Sequence, residues 1–576
     1  MKKINIYVMI MLIITGFVFG GGIVTNTNQS ADFIRSLNRN ASTDIDAAFF
    51  NPAGVTQLEN GMHFYLSSQT ITQGREVTSD WSTLHGDMFE GSTFVPVLPN
   101  IYFAYKMDKL AIAGGFTVIG GGGSAEYADG LPSFEVPVSM IPASLVAAGI
   151  PTTDYNFDVS FEGSSAYMGG QATVAYKVND MISVAVGARY FTAKNTYVGH
   201  LKDIMIDPTY PAAGGTGDMT SAPNFFTNLS AVMTGGAALA TGGAAQYAAG
   251  SAQAAAGAVA AQAGADGLLP FAGTAYDTLS FSTLVSYGVM TQGLVDTIGG
   301  GVNQLGGTFD ASSNTPANTH AFYTGAAANL TSLSTVYADS STYYTGYSAY
   351  LTTQAAAMDT NAMKTADIKV DAEETGSGFA PLFGLYITPF DGLGIGIRYE
   401  GMAAMELETA TKVDGTGLFP DGKKSNADMP AMLGIGVSYK VMPSMRLEFD
   451  YNMYFNEDVN WDGKEAFVTN GSELGLGLDF SLSEALLLSG GFNLATSGAE
   501  AGYQSDLSYS VNSTTLGFGA RYRLSPKMAV SFGVSNTSYD TFTKKDVAYD
   551  DDGLLLGEET YTKTALDIAI GLGYSF

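Results

Sequence analysis

"ALDIAIGLGYSF", residues 565–576, closes the chain on an unbroken alternation. Successive side chains of a strand point to opposite sides, so Leu566, Ile568, Ile570, Leu572, Tyr574 and Phe576 share one face. Ala565, Asp567, Ala569, Gly571, Gly573 and Ser575 share the other. One face is apolar and the other small or polar. A half-buried strand of a soluble sandwich carries the same pattern, so the fold is decided by how often it recurs.

It recurs along most of the chain. "MLGIGVSYKV" (432–441) sets Leu433, Ile435, Val437 and Tyr439 against Gly434, Gly436, Ser438 and Lys440. "MRLEFDYNMYF" (445–455) sets Met445, Leu447, Phe449 and Tyr451 against Arg446, Glu448, Asp450 and Asn452, and a Pro-containing turn joins the two. The same reading predicts strands near 62–72, 99–107, 110–119, 165–178, 181–196, 375–388, 391–409, 428–442, 445–456, 472–482, 485–497, 509–525, 526–540 and 562–576. The total is about fourteen, an even number.

The connections alternate between short and long. "KMDK" (106–109), "KVND" (177–180), "TPFDG" (388–392), "VMPS" (441–444), "SLSE" (481–484) and "LSPK" (524–527) are tight turns, whereas the other gaps run to about ten residues or far more. Tyr105, Tyr176, Tyr386, Tyr439, Phe480, Tyr522 and Tyr574 stand just before the short-turn ends, where a girdle at a membrane interface is expected. The expectation is an all-β, membrane-spanning antiparallel β-barrel (62–576) with both termini in the periplasm.

Composition agrees. The chain has 576 residues, yet only 14 % are charged, well below the roughly 25 % of ordinary globular proteins. Gly counts 70, Phe 33 and Tyr 32. The net charge of −29 excludes a nucleic-acid partner. With no Cys there is no disulfide or thiolate metal site, and no metal or other cofactor is expected. Lys2 and Lys3 before the apolar run Ile4–Phe19 have the layout of a cleaved signal peptide (1–20), which implies export to the bacterial outer membrane.

Three regions fall outside the alternation. Residues 21–61 precede the first strand and contain "FFNPAGV" (49–55), in which Pro52 restricts its own φ and that of Asn51. Fourteen strands enclose a wide bore, and this leading segment is expected to fold back into it as a plug. Its Arg35 and Arg39 would meet inward carboxylates such as Glu448 and Asp450. The second region, 197–374, contains no Lys or Arg between Lys202 and Lys364 and is Ala-rich in "AAQYAAGSAQAAAGAVAAQAGADGLL" (244–269). It is expected to be an external loop of short helices, serving either as a low-complexity insertion or as a capture surface. The third, "DVAYDDDGLLLGEE" (546–559), has Asp550, Asp552, Gly553 and Glu559 at calcium-loop spacing, but Ala548 stands where the first ligand belongs.

"NQSADFIRSLNRNASTDIDAAFFNPAGVTQLENG" (28–61), "LPNIYFAYKMDKLAIAGGF" (98–116) and "DMPAMLGIGVSYKVMPSMRLEFDYN" (428–452) together resemble the FadL-type outer-membrane transporters of long-chain fatty acids and aromatic hydrocarbons. The resemblance covers nearly the whole chain apart from the long loop. It implies an N-terminal hatch whose Asn51, Pro52, Ala53 and Gly54 lie beside an opening made by a kink in the third strand, expected here at Gly114 and Gly115. It also implies passive, non-enzymatic transport of a hydrophobic small molecule: capture by external loops, hatch rearrangement, then lateral exit through the wall. An inward Arg398, Arg446, Arg521 or Arg523 would answer a carboxylate head group unless neighbouring acids occupy it. Lipid and lipopolysaccharide are the expected surroundings of a monomer. A general diffusion porin and a surface adhesin displaying the long loop are the alternatives. A hydrolase is disfavoured, because His63, His85, His200 and His320 fall in no nucleophile or metal spacing.

Overall fold

A computed structural model describes residues 23, 30–549 and 556–576, so the expected signal peptide lies outside the described residues. The chain divides into two compact units, one formed by 147–151 and 208–363 and the other by the remaining described residues.

The larger unit is a closed barrel of fourteen antiparallel strands. They are β1 (Gly61–Ser79), β2 (Met88–Met107), β3 (Leu110–Tyr127), β4 (Tyr155–Lys177), β5 (Ile182–Ile206) and β6 (Ile368–Phe390). There follow β7 (Leu393–Glu400, resumed at Glu406–Asp414), β8 (Lys424–Asn426, resumed at Met432–Met442), β9 (Met445–Tyr454), β10 (Gly471–Ser481) and β11 (Leu486–Thr496). β12 (Ser513–Ser525), β13 (Met528–Tyr539, resumed at Phe542–Ala548) and β14 (Leu556–Ser575) complete the wall. β14 pairs with β1 from His63↔Ser575 to Ser79↔Glu559, which joins the two edges and leaves no open strand.

The apolar side of β14 faces outward, Leu566 to Phe576 each being 38–61 % exposed, while Ala569 on the other side is 1 % exposed. A soluble protein would bury that apolar face. Among the described residues no helix is long and apolar enough to cross a membrane. Several strands run further toward the long connections than the alternation predicts, β2 beginning at Met88 and β5 ending at Ile206. These extensions need no apolar outer face, so they carry no period-two signal.

The expected girdle holds except at one position. Tyr105, Tyr176, Tyr439, Phe480, Tyr522 and Tyr574 are exposed, but Tyr386 is buried and turned inward. Phe390 is exposed in its place and packs edge-on against Tyr439, with centroids 6.3 Å apart. The irregular register between β6 and β7 near Leu393 accounts for the change of face.

Residues 30–57 lie against the inner side of the wall. α1 (Ala31–Ile34) is capped by Ser30, α2 (Ala47–Phe50) follows, and a 3-10 turn spans Pro52–Gln57; α3 (Pro132–Ala147) comes later in the chain, in the connection between β3 and β4. Wall glycines make this close approach feasible. A Cβ on Gly491 would overlap the Ser36 carbonyl oxygen, and one on Gly396 the Asn40 carbonyl oxygen. Ile23 lies at the long-loop end instead of on the periplasmic side expected for this segment, its amide donating to Tyr503 Oη at 3.3 Å.

The second unit differs from the short helices expected. α4 (Ala222–Asp266) has 45 residues and α7 (Pro316–Lys364) has 49, about 70 Å each at 1.5 Å per residue. Gly236, Gly243, Gly250, Gly257 and Gly264 recur every seventh residue, and a Cβ on each would meet Leu351, Tyr344, Tyr337, Leu330 and Tyr323 in turn. The partners descend by sevens, so the helices run antiparallel with the period of a left-handed coiled coil. Ser251 and Ser334 each donate to the other's carbonyl oxygen, at 2.8 and 2.9 Å. Between the long helices, α5 (Phe281–Ser286) and α6 (Gln292–Gln304) enclose a small core with Phe281, Leu284, Val295 and Val302. Replacing Gly250 with Leu should force the helices apart at Tyr337 and cost about 1–3 kcal/mol. The expected result is earlier thermal loss of helical ellipticity with the strand signal unchanged.

Candidate gate and bore

Each residue of the Asn51–Gly54 motif has a physical reason for its identity. Asn51 is extended (φ −149°, ψ 95°), the region favoured before proline, and its Oδ1 accepts the Ala53 amide at 3.3 Å to cap the 3-10 turn. Its Nδ2 donates to the Leu385 carbonyl of β6 at 3.0 Å and to the Asn40 carbonyl at 3.3 Å, tying the motif to the wall. Pro52 occupies the first helical turn, where a missing amide is harmless. Ala53 is fully buried, and a Cβ on Gly54 would overlap the Ser42 carbonyl oxygen.

Phe49, just before the motif, lies between two guanidiniums, with Arg189 Cζ 4.4 Å and Arg398 Cζ 5.6 Å from its ring centroid. Arg189 donates to both Glu400 carboxylate oxygens at 2.9 Å and to Gln171 Oε1 at 2.9 Å. Arg398 donates to the Phe49 and Phe50 carbonyls at 3.0 and 3.2 Å. Gln171 donates to the Ala48 carbonyl. Three wall strands thus grip one turn of the leading segment.

A second set of contacts holds α1 and the residues after it. Arg35 binds Asp32 and Asp479, each at 2.9 Å, and Ser531 donates to Asp32 at 2.8 Å. Arg39 binds Asp46 and Asp44 at 2.5 and 2.8 Å, while Arg521 reaches Asp44 at 2.9 Å. Asp450 accepts the Arg39 and Asn40 amides at 2.6 and 2.8 Å. The expected meeting of Arg39 with Glu448 is loose at 3.9 Å, and Arg35 is held by Asp479.

The arginines expected to answer a ligand carboxylate are mostly occupied. Arg398 is held as above and lies 3.6 Å from Glu400. Arg446 binds Asp479 at 2.5 Å and Glu448 at 3.3 Å, and Arg521 is on Asp44. Arg523 is exposed next to the short turn into β13. Asp479, Arg189 and Glu400 were not among the residues singled out in the sequence, although the alternation of β10, β5 and β7 puts each on the inward face.

The wall irregularity falls beyond the expected glycines. Gly114 and Gly115 pair regularly with Phe103 and Tyr102. The β3–β4 register shifts between Val118 and Gly120 and again between Gly121 and Gly123. The β2–β3 ladder has no partners between Asn100↔Thr117 and Ser92↔Glu126, a stretch in which β2 contains Pro96 and Pro99. Proline removes ladder donors, and the glycine run permits the bulges. α2 adjoins this break, its Ala48 bound by Gln171, which pairs with Gly115.

At the long-loop end, Phe467, Tyr503, Lys464 and Lys544 help line a cavity of about 420 Å³. Burial brings the Lys464 ammonium down to about 8. Residues 550–555 of the acidic loop, with Asp550, Asp552 and Gly553, lie outside the described residues. Glu559 accepts the Tyr549 and Tyr561 hydroxyls, both at 2.6 Å, and no group of three or more potential metal ligands occurs among the described residues.

Residues 404–576 match the family model of the outer membrane protein beta-barrel domain. No curated protein matches the chain. Among solved structures, a Pseudomonas aeruginosa FadL homologue is similar at 11 % identity and a TM-score of 0.52, over 96 % of this chain and 100 % of that one. The Pseudomonas putida toluene transporter TodX is similar at 11 % identity and 0.47, over 96 % and 100 %. The Ralstonia pickettii toluene transporter TbuX is similar at 13 % and 0.44, over 97 % and 100 %. The final third of the chain thus matches an outer-membrane barrel domain, and the chain as a whole shares the fold of the Pseudomonas aeruginosa FadL homologue.

Proposed function

We propose that this chain is a passive outer-membrane conduit for hydrophobic small molecules, long-chain fatty acids among them. The observation that carries this reading is the juxtaposition of the motif-bearing segment with the break between β2 and β3. A bore closed by its own leading segment is ill suited to free diffusion of sugars, and a gap in the ladder gives an apolar solute a sideways path into the lipid. Leaving water is worth about 0.8 kcal/mol per methylene to an acyl chain, so an apolar path favours such cargo over a hydrated one. Phe49 and Phe50 share one apolar cluster with Tyr102 of β2 and Ala113 and Ile119 of β3, the two strands that flank the gap. External loops would take up the ligand, the segment 30–57 would shift, and the ligand would leave through the wall.

Cells lacking other uptake routes and producing this protein should take up radiolabelled hexadecanoate or toluene, while liposomes holding it should not swell in sugars. Rapid sugar entry would mark a general porin. Replacing Pro52 with Ala frees the φ of the turn and should slow hydrophobic uptake with barrel assembly intact, and unchanged uptake would count against a gating role. Deleting 214–361 should leave uptake in part, whereas an adhesin would lose attachment.

A further inference from the structure

Arg35, Arg39, Arg189, Arg398, Arg446 and Arg521 each lie within 4 Å of a carboxylate. Arg75 and Lys563 make no such pair among the described residues, and they occupy directly paired positions of β1 and β14. The alternation puts both on the inward face, with Tyr65, Ser67 and Gln69 on β1 and Tyr561, Ala565 and Ala569 on β14. Their surroundings are aromatic. Lys563 Nζ is 4.6 Å from the Tyr539 ring centroid, and Arg75 Cζ is 5.8 Å from that of Tyr509. Arg75 Nε donates to Gln73 Oε1 at 3.1 Å, a neutral partner.

Like charges directly opposite on paired strands repel, and partial burial removes water that would screen them. Ring faces offset only part of that cost. An anion bridging the two groups removes the repulsion, because a guanidinium offers a planar fork and the ammonium a mobile third donor. Tyr561, two residues from Lys563, stacks on Tyr509 with centroids 5.0 Å apart, and Val77, two residues from Arg75, is fully buried. Charge and apolar surface therefore adjoin. The pair also borders the wall break, since Arg75 pairs with Gly91, next to the last partnered residue, Ser92.

We infer that Arg75 and Lys563 form a head-group site for an amphiphile ending in a carboxylate, held with its head on the two cations beside the gap in the wall. The assignment rests on the conduit reading and narrows it. Equilibrium dialysis of the purified protein in an uncharged detergent, with radiolabelled dodecanoate and dodecan-1-ol as probes, tests it. The wild-type protein should hold dodecanoate about tenfold more tightly or better. The double variant Arg75→Gln/Lys563→Met should lose that preference while binding dodecan-1-ol as before, and Arg523→Gln should keep it. Lys563→Met alone, which retains an unbranched chain over Tyr539, should lose most of the preference and serves if the double variant fails to assemble. Equal binding of both probes by the wild-type protein overturns the site and leaves the conduit standing, as does a preference that survives in the variants. Displacement of dodecanoate by excess inorganic phosphate assigns the pair to small anions and overturns the amphiphile. Binding of neither probe overturns both.

Discussion

Asp479→Ala should make the barrel leak ions, on the reading that residues 30–57 stopper its bore. Asp479 is buried on β10 and holds three donors: Arg35 from the leading segment at 2.9 Å, Arg446 from β9 at 2.5 Å and Ser489 from β11 at 2.6 Å. Alanine leaves the fully buried Arg35 with Asp32 as its one carboxylate and Arg446 with Glu448 as its own. Removing one partner of a buried ion pair costs about 3–5 kcal/mol, because the other charge stays desolvated and uncompensated. If most of that cost falls on the seated state of residues 30–57, its population relative to displaced states drops by roughly a hundredfold or more. Planar-bilayer recordings should then show frequent openings that are rare in the wild-type protein. Asp479→Asn keeps an acceptor without the charge and should fall between the two. Conductance equal to wild type in the alanine variant would mean that these contacts do not hold the bore shut.

Gly491→Val should act from the wall side. A Cβ there overlaps the Ser36 carbonyl, and the Leu37 Cβ is only 3.1 Å away, so the leading segment must lift off β11. Overpacking of this kind costs about 1–3 kcal/mol, and β-branching leaves few rotamers with which to escape. Its neighbour supplies the control. A Cβ on Gly490 meets nothing nearer than the Phe518 ring at 3.5 Å, so Gly490→Val should assemble and conduct like the wild type. Both variants add the same side chain to the same strand, one residue apart. A leak in both, or in neither, would refute the idea that wall glycines are the seat of the segment.

The fold was readable from the sequence wherever lipid imposes a pattern. β14, β8 and β9 announce themselves because every second residue must be apolar. The long-loop halves of β2 and β5 were not, because outside the lipid band nothing requires alternation. Tyr386 shows the converse, an aromatic at the expected level that lies in phase with the inward residues of β6, while the register shift past Ile387 brings Phe390 to the outer face. The Asn51–Gly54 bend was legible because Pro restricts its neighbourhood, but its grip by Arg189, Arg398 and Gln171 depends on strands that only closure brings together. The third-strand break was expected at the first glycine pair, while the bulges fall in the later run 120–123, opposite prolines on β2. The wall glycines look like ordinary small lumenal residues until a backbone is laid against them. The seven-residue glycine period of α4 was in plain view, yet it is carried by small residues and escapes a search for apolar stripes. Arg75 and Lys563 lie near opposite ends of the chain, and their adjacency exists only because β1 and β14 close the cylinder.

The paired α4 and α7 helices have one outcome for digestion chemistry. From residue 203 to 363 there is no lysine or arginine, so an endopeptidase of trypsin's specificity has no bond to hydrolyse in a shaft about 70 Å long or in the small core between its arms. However exposed that surface is, such an enzyme leaves it in one piece, with its nearest scissile sites at Lys202 and Lys364.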